Sequence, residues 1–451
     1  MNVEIRKQVR SHKSQFGVSS GIVVPPDKSI FHRLLIIGSM TGSRITIPIN
    51  AIEDIPVDVV STILAMQSLG VPIELSRSEI ELQGVGFEGY HEPKHQINCG
   101  NSGTTARLLL GLLSGQQFSS KLTGDTSLSA RPMRRLADLL NNALGAEIIT
   151  SSDGKMPVVV NGKVLHPGDI MLPVASAQMK SALLLAGMYV QGRVSVTEPF
   201  KSRDHTEKML SAFGIVIHSE SKTTSIESPV AFTIPDEFTY RIPGDISSAG
   251  FLIGAAIITR KNIILSDIGL NPTRKRFLDI LSAGGLKFEI SNRKEKWNEV
   301  SGTLEIFGAE STITKPFDIT AEDIPLVIDE IPLLAILATF CNGETSISGA
   351  HELRSKESDR LSVLTKNLTA WGSQTQENED GIVISGDENF IPGGGAIEHS
   401  GDHRIAMALS LLGLRAKEPV TISDASVVSI SYPNFFRDLA LIVGKERIKI
   451  S

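Results

Sequence analysis

The chain has 451 residues, 41% of them hydrophobic and 21% charged, and a formal net charge of −6 at pH 7. A chain of this length and hydrophobicity normally folds into more than one domain, each with its own core. The negative charge and the lack of a long basic run exclude general nucleic-acid binding, so any anion must be held by a few positioned cations.

The number of cysteines and the hydropathy of the chain predict the cellular compartment of the protein. The two cysteines, Cys99 and Cys341, supply neither a disulfide framework nor a metal-ligand set, which is typical of a reducing compartment. The N-terminus is polar and the apolar segments are short and interrupted. We therefore expect a soluble cytoplasmic protein that does not associate with membranes.

The first segment with recognisable chemistry is residues 25–33, PPDKSIFHR, between a predicted strand at 21–24 and a predicted apolar helix at 34–40. A helix start presents free backbone N–H groups to anions, and Lys28, Ser29 and Arg33 would complete an anion pocket if both cations face the same way. In the alternative interpretation, Ser29 only caps the helix and the two cations are solvated.

Similar junctions between a loop and an apolar helix recur along the chain. The intervals between them are 74, 74, 70, 82 and 74 residues, which predicts six structural repeats. The markers are Ser29, Gly103, Ala177, Ser247, Asp329 and His403. Each repeat also contains a second, amphipathic helix, and glycine is predicted to end it. Those glycines are Gly70, Gly145, Gly214, Gly284, Gly372 and Gly444.

An arginine directly before a proline marks the second repeat. Arg131 stands at a predicted helix start, where its planar guanidinium can hold a carboxylate or phosphate through two hydrogen bonds. Arg134 and Arg135 follow in the helix and are interpreted as solvated charges.

Two polar helix starts are predicted in the third repeat. The first contains Ser176, Gln178 and Lys180. At the second, His205 is a candidate base, but a capped helix start with Asp204 and Thr206 as local hydrogen-bond partners explains the pattern better.

Carboxylates open the helix of the fifth repeat, and alternating charges open the next one. Asp329 is either an N-cap or a functional acid. Residues 353–360 are either an exposed helix face or a functional one, because Glu357 precedes Arg360 by three positions and Lys356 precedes it by four. Two cations around one carboxylate can tune it for proton transfer.

Eight motifs lie in one order along essentially the whole chain: DKSIFHR (27–33), GNSGTTAR (100–107), RPM (131–133), SAQMKS (176–181), RDHTE (203–207), DEIP (329–332), KESDR (356–360) and DHRIAM (402–407). Each is weak alone. Together they resemble the 5-enolpyruvylshikimate-3-phosphate synthase family, also called 3-phosphoshikimate 1-carboxyvinyltransferase. The forms at 176–180 and 356–360 look more like the second bacterial class than the first.

The resemblance implies an α/β fold, the two-domain enolpyruvyl transferase fold or inside-out α/β barrel, with three βαβαββ repeats in each domain. It places residues 1–24 and 241–451 in one discontinuous domain, which holds repeats four to six and the chain termini. Residues 25–240 form an inserted domain with repeats one to three. An active-site cleft is implied between the two domains.

The resemblance also implies a reaction. The enolpyruvyl (carboxyvinyl) group of phosphoenolpyruvate is transferred to the 5-hydroxyl of shikimate 3-phosphate, and phosphate is released through a tetrahedral intermediate. This is the sixth step of the shikimate pathway to chorismate and the aromatic amino acids. No metal and no organic cofactor are implied.

The same resemblance assigns residues to roles. Asp329 would serve the 5-hydroxyl and Glu357 the methylene carbon, with Lys28 as electrostatic stabiliser and candidate acid. Shikimate 3-phosphate would contact Lys28, Ser29, Arg33, Ser176, Ala177, Gln178, Arg203, Asp329 and Lys356. Phosphoenolpyruvate would contact Lys28, Gly103, Arg131, Gln178, Arg360 and Arg404.

Two positions bear on inhibition and on a missing contact. Ile430 stands where first-class members carry a phosphoenolpyruvate-binding lysine, so that contact must be absent or supplied elsewhere. Gly103 is retained where an alanine would hinder glyphosate, which makes glyphosate a candidate inhibitor. A monomer is implied as well.

Two alternatives remain open. The sister enzyme that transfers enolpyruvate to UDP-N-acetylglucosamine typically has a cysteine in the loop before Arg-Pro, but residues 124–130 contain none, and Lys28 is followed by serine rather than asparagine. The other alternative is a catalytically silent anion-binding homologue. Retention of Asp329, Glu357 and Lys28 argues against it, because a binding module needs the cations but not the acid–base pair.

Overall fold

A computed structural model describes residues 1–7 and 19–451 of the chain. Two short strands lie in the N-terminal part, β1 (Val3–Ile5) and β2 (Ser19–Ile22). The remainder of the predicted N-terminal domain segment, at residues 8–18, lies outside the described residues.

The described residues form two compact units, each with its own hydrophobic core. The terminal unit comprises Met1–Pro25, Pro243–Lys294 and Val300–Ser451. The central unit comprises Pro26–Ile242 and Glu295–Glu299.

The central unit contains three four-stranded sheets. Its strands are β3 (Arg44–Pro48), β4 (Ile73–Leu75), β5 (Glu79–Gln83), β6 (Ile97–Asn98), β7 (Ser119–Thr123), β8 (Glu147–Ile149), β9 (Val158–Asn161), β10 (Gly168–Met171), β11 (Gly192–Thr197), β12 (Ile217–Glu220), β13 (Thr223–Ser228) and β14 (Glu237–Thr239). Its helices are α1 (Lys28–Ser39), α2 (Val57–Ser68), α3 (Gly103–Ser114), α4 (Thr126–Ala130), α5 (Arg134–Leu144), α6 (Ala177–Gly187) and α7 (His205–Ala212).

The terminal unit also contains three four-stranded sheets. The further strands are β15 (Asn262–Gly269), β16 (Phe288–Lys296), β17 (Glu299–Phe307), β18 (Asp318–Ile319), β19 (Gly343–Ile347), β20 (Gln374–Asn378), β21 (Gly381–Gly386), β22 (Gly395–Ala396), β23 (Val420–Ile422) and β24 (Ile448–Ile450). The helices are α8 (Ile246–Thr259), α9 (Arg276–Gly284), α10 (Ile324–Val327), α11 (Ile331–Ala338), α12 (Arg360–Ala370), α13 (His403–Gly413) and α14 (Phe435–Val443).

All six sheets share one strand order. In the central unit the orders are β14-β3-β5-β4, β6-β7-β9-β8 and β10-β11-β13-β12, and in the terminal unit they are β2-β15-β17-β16, β18-β19-β21-β20 and β22-β23-β1-β24. In each sheet the first pair is parallel and the second pair antiparallel. A parallel pair needs a crossover connection, and helices supply it between β6 and β7, β10 and β11, β18 and β19, and β22 and β23. The other two parallel pairs, β14 with β3 and β2 with β15, join strands that are far apart in the chain. The predicted sixfold repeat is confirmed.

The first helix of most repeats is buried on nearly every side. α3 packs against α6 in the central unit, and α8 packs against α11 and α13 in the terminal unit. Every residue of α11 is buried. A helix that is apolar all round belongs inside a core, and the half-buried sheets cover these helices. This is the inside-out arrangement that the resemblance implied.

The predicted helix ends are correct except in the fourth repeat. α5 ends at Gly145, where φ is 73°. α9 runs through the predicted terminator, Gly284, and ends one residue later at Gly285, where φ is 116°. Two adjacent glycines both tolerate the left-handed conformation, so the sequence does not distinguish them.

Candidate active site

α1 begins at Lys28, one and a half turns earlier than its apolar residues indicate, because Asp27 caps it. The Asp27 carboxylate accepts hydrogen bonds from the backbone N–H groups of Ser29 (2.8 Å) and Ile30 (3.1 Å). The interpretation in which Ser29 serves only as the helix cap is therefore wrong.

Lys28 is paired with an acid that the sequence did not single out. Its Nζ lies 2.8 Å from Oδ2 of Asp58, in the first turn of α2, and the two side chains are 12% and 7% exposed. The only sequence signal was an acidic residue at the start of a second, amphipathic helix. Asp58 holds the Lys28 ammonium beside the N-terminus of α1.

Arg33 is held by a different set of partners from Lys28. Its guanidinium donates to the Ser29 carbonyl (2.9 Å), to Thr206 Oγ1 (2.7 Å) and to Ser181 Oγ (2.7 Å), and the residue is 3% exposed. Residues five apart on an α-helix diverge by about 140°. Lys28 therefore contacts α2, whereas Arg33 contacts α6 and α7, so different helices hold the two cations.

The contacts of Thr206 differ from the local hydrogen bonding predicted for residues 203–207. Its hydroxyl bonds Arg33 and Ser181 on other helices instead of acting as a local cap. His205 Nδ1 lies 2.6 Å from Glu299 Oε1 and is buried. Arg203 lies, partly buried, in the loop between β11 and α7.

The starts of α3 and α6 are joined by Gln178. Arg107 Nη1 donates to Gln178 Oε1 (2.9 Å), and Gln178 Nε2 donates to Thr104 Oγ1 (2.9 Å). Ser176 caps α6 by accepting the Met179 N–H. Ser176, Ala177 and Gln178 are therefore held partly exposed at the end of a buried helix.

Gly103 lies between two guanidinium groups. A Cβ built on Gly103 would stand 2.6 Å from Arg107 Nη1 and 3.2 Å from Arg131 Nη1. Arg131 itself is 6% exposed and donates to Asn101 Oδ1 (2.8 Å) and Ser127 Oγ (3.1 Å). Arg134 and Arg135 are exposed, as predicted. The bare backbone at Gly103 thus lets two arginines approach one helix start.

A buried chain of hydrogen bonds ties α1 and the middle of α2 to the start of α3. His32 Nδ1 lies 2.6 Å from Thr62 Oγ1, which lies 2.6 Å from Thr105 Oγ1, and Thr105 donates to Ser102 Oγ at 2.7 Å. Burial lowers the pKa of His32 well below its ordinary value, helped by the charges of Lys28 and Arg33. A neutral imidazole therefore fixes the helix that carries Lys28.

In the terminal unit, Asp329 faces two arginines. Its Oδ1 lies 3.3 Å from Arg404 Nε and 3.7 Å from Arg360 Nη1, and its backbone carbonyl accepts from Arg404 Nη1 (3.2 Å). α11 begins two residues later, at Ile331. Asp329 is thus held by cations, and the N-cap alternative is wrong.

Arg360 is the centre of this cluster. It is 1% exposed and donates to Asp402 Oδ2 (2.8 Å) and to Glu357 Oε2 (2.6 Å). Burial opposes its charge, but Asp402, Glu357 and Asp329 outweigh burial and raise the pKa of Arg360 above its ordinary value. The guanidinium therefore stays charged and links three carboxylates.

The predicted helical face at 356–360 does not form. α12 begins at Arg360, with Asp359 as its cap, so Lys356 and Glu357 lie in the preceding turn. The Glu357–Arg360 ion pair forms nevertheless. Lys356, the residue before Glu357, is partly buried. Arg354, in the same charged segment, forms ion pairs with Asp359 (2.8 Å) and with Glu377 on β20 (2.7 Å).

The two groups of residues suit complementary tasks. The central unit gathers Lys28, Arg33, Arg107 and Arg131 at helix N-termini, where anions bind. The terminal unit presents carboxylates held by Arg360 and Arg404, as proton transfer requires. Within residues 1–7 and 19–451, no group of three or more His, Cys, Asp or Glu side chains is arranged to hold a metal ion. In the same residues, no helix has the length and apolar character needed to cross a membrane.

Fold and residues together define an α/β enzyme that handles small anionic substrates by acid–base chemistry. The sequence model of EPSP synthase (3-phosphoshikimate 1-carboxyvinyltransferase) matches residues 14–439. The chain belongs to this family, as its motifs predicted.

Individual relatives agree. The chain is 40% identical to the 3-phosphoshikimate 1-carboxyvinyltransferase of Shouchella clausii over 430 residues, covering 95% of this chain and 97% of the relative. It is 42% identical to that of Alkalilimnicola ehrlichii over 415 residues, covering 91% and 90%. A solved EPSP synthase of Acinetobacter baumannii superposes with a TM-score of 0.81 at 37% identity, covering 100% of this chain and 99% of the solved one. The predicted family, fold class and enzyme class are confirmed.

Proposed function

We propose that the protein transfers the enolpyruvyl group of phosphoenolpyruvate to the 5-hydroxyl of shikimate 3-phosphate and releases phosphate, with catalytic residues Asp329, Glu357 and Lys28. Family membership supports the reaction. The observation that carries the residue assignment is the pair of carboxylates, Asp329 and Glu357, on the single buried guanidinium of Arg360.

In the addition, one proton leaves the 5-hydroxyl and one is placed on the methylene carbon, which becomes a methyl group. In the elimination, phosphate leaves the tetrahedral intermediate and the methyl group loses one proton, which restores the carbon–carbon double bond. Asp329 acts at the hydroxyl and Glu357 at the methylene carbon. Arg360 contacts both, so a change of charge on one carboxylate is felt by the other through a group that stays cationic. Lys28, held by Asp58, stabilises the negative charge that develops on the substrate.

The substrates bring two phosphates and two carboxylates, so they need several cations and helix starts. We assign shikimate 3-phosphate to Lys28, Ser29, Arg33, Ser176, Ala177, Gln178, Arg203, Asp329 and Lys356. We assign phosphoenolpyruvate to Lys28, Gly103, Arg131, Gln178, Arg360 and Arg404. No metal or cofactor takes part.

Three further features belong to the proposal. Glyphosate competes at the phosphoenolpyruvate position, supported by the absence of a side chain at Gly103 between Arg107 and Arg131. The protein is a cytoplasmic monomer, and its two cysteines, Cys99 and Cys341, are buried free thiols, consistent with a reducing compartment.

The test measures phosphate release from phosphoenolpyruvate with shikimate 3-phosphate or with UDP-N-acetylglucosamine as acceptor. Release only with shikimate 3-phosphate, and its collapse in Asp329→Asn, is expected. Release with the nucleotide sugar would move the protein to the sister enzyme's activity. Binding of both substrates by calorimetry without release would instead establish a silent homologue.

A further inference from the structure

Lys180 is a fully enclosed lysine with two acidic partners. Its side chain is 2% exposed, and Nζ lies 2.7 Å from Glu198 Oε2 and 2.7 Å from Glu207 Oε1. Both glutamates are themselves buried. Lys180 belongs to one of the sequence motifs, yet the proposed reaction gives it no task.

The three members of this cluster come from three different segments. Lys180 lies on α6, one turn after Ser176. Glu198 directly follows β11, and its Oε2 also accepts the backbone N–H of Ser202 at 3.3 Å. Glu207 lies in the first turn of α7. One ammonium therefore joins the helix start of α6, the loop at 198–204 and the helix start of α7.

Two of these segments carry part of the proposed shikimate 3-phosphate set, and the third holds one of its members. The start of α6 carries Ser176, Ala177 and Gln178, and the loop carries Arg203. The start of α7 carries Thr206, which accepts from Arg33 Nε at 2.7 Å. The ion pairs of Lys180 therefore lie beside these substrate-binding segments. Its own side chain is only 2% exposed, so it is not available to contact a substrate.

The charges explain why a lysine is needed there. Burial disfavours the ammonium, but Glu207 and Glu198 more than compensate, and the pKa of Lys180 lies above its ordinary value. Among the described residues, Glu198 Oε1 and Glu207 Oε2 are buried without a hydrogen-bond partner. Without Lys180 the two carboxylates would repel each other and separate the segments that hold them.

We infer that Lys180 is a positioning residue for shikimate 3-phosphate, which it serves by clamping α6, the 198–204 loop and α7 through Glu198 and Glu207. This inference rests on the proposed function and deepens it, because it explains how the substrate-binding residues are preorganised.

The main experiment compares Lys180→Met with the parent enzyme. We expect KM for shikimate 3-phosphate, and its Kd measured by calorimetry without phosphoenolpyruvate, to rise about tenfold or more, as loss of a supporting partner typically produces. KM for phosphoenolpyruvate should rise less, because Gln178 is the one residue of its assigned set on the clamped segments. kcat should change less than about threefold, since the reacting groups are untouched. Lys163→Met is the control, because Lys163 forms only an exposed pair with Glu147 at 3.4 Å.

Glu198→Gln keeps the Lys180–Glu207 pair, and it tests the positioning role if Lys180→Met does not fold. It should raise KM for shikimate 3-phosphate while Tm stays near that of the parent. An active variant with lowered Tm and unchanged KM and Kd would overturn the inference, as would an equal loss in the kinetics of both substrates. If the parent enzyme itself releases no phosphate, the proposed function fails instead, and the Kd comparison still tests the positioning role.

Discussion

Glu357 and Arg360 are joined by a hydrogen bond of 2.6 Å across the start of α12. Glu357 lies before the helix and Arg360 is its first residue, so the pair has the three-residue spacing of a helical pair without helical backbone at Glu357. The buried guanidinium orients a carboxylate whose side chain is still 13% exposed. Glu357 is therefore held in place while part of its side chain stays accessible.

Glu357→Gln preserves the shape of this side chain but removes its proton-transfer ability. We expect kcat to fall about 10²- to 10⁴-fold, the usual contribution of a general acid or base, while KM for both substrates changes little. Steady-state phosphate release measures both. Glu377→Gln, which alters a pair with Arg354, is the control and should keep full activity. A Glu357→Gln enzyme with kcat near that of the parent would remove Glu357 from the catalytic set.

Arg360→Met leaves Asp402, Glu357 and Asp329 without their shared cation. Breaking a buried ion pair by removing one partner typically costs about 3–5 kcal/mol, so the free energy of unfolding should fall by about this amount. Urea denaturation followed by fluorescence measures it. Adding Asp402→Asn should recover part of the loss, because one buried uncompensated charge is removed. A loss below about 1 kcal/mol would show that the cluster is not stabilising.

Gly103→Ala tests the phosphoenolpyruvate assignment. The new methyl group would stand 2.6 Å from Arg107 Nη1, so that guanidinium must move, and Arg131 at 3.2 Å must give way slightly. We expect KM for phosphoenolpyruvate and the glyphosate concentration for half-inhibition to rise, with kcat reduced less. Gly42→Ala is the control, since no atom lies within 4 Å of a Cβ at that position. Unchanged KM and inhibition in Gly103→Ala would argue against a ligand at this helix start.

His32 should make stability depend on pH. Its pKa is lowered well below 6.5 in the folded protein, so below pH 6.5 the unfolded chain binds a proton that the folded protein does not. His32 therefore contributes a loss of stability as pH falls from about 6.5 to 5, with a limiting slope of about 1.4 kcal/mol per pH unit. His32→Gln should flatten the measured slope in this window. The exposed His218 serves as control, and equal slopes in His32→Gln and the parent would contradict the prediction.

The repeats and most helix boundaries could be read from the sequence because each depends on local features. Ser176 caps α6 from the adjacent position, and glycine spacing recurs with the repeat, whereas the start of α1 at Lys28 was missed because Asp27 was not recognised as its cap. The motifs likewise identified the family. Contacts between residues far apart in the chain could not be predicted. The Lys28–Asp58 ion pair and the Arg33–Thr206 hydrogen bond depend on how the helices pack. The alternating charges at 353–360 also suggested one helix, whereas the structure starts that helix only at Arg360.

β1 lies between β23 and β24 in the last sheet of the terminal unit. Val3 pairs with Ile422 on one side and with Ile450 on the other. During synthesis this strand leaves the ribosome before any other described strand, yet both of its neighbours are made last. The last sheet of the terminal unit is therefore completed only after β24 has been synthesised, and until then β1 lacks both of its strand partners.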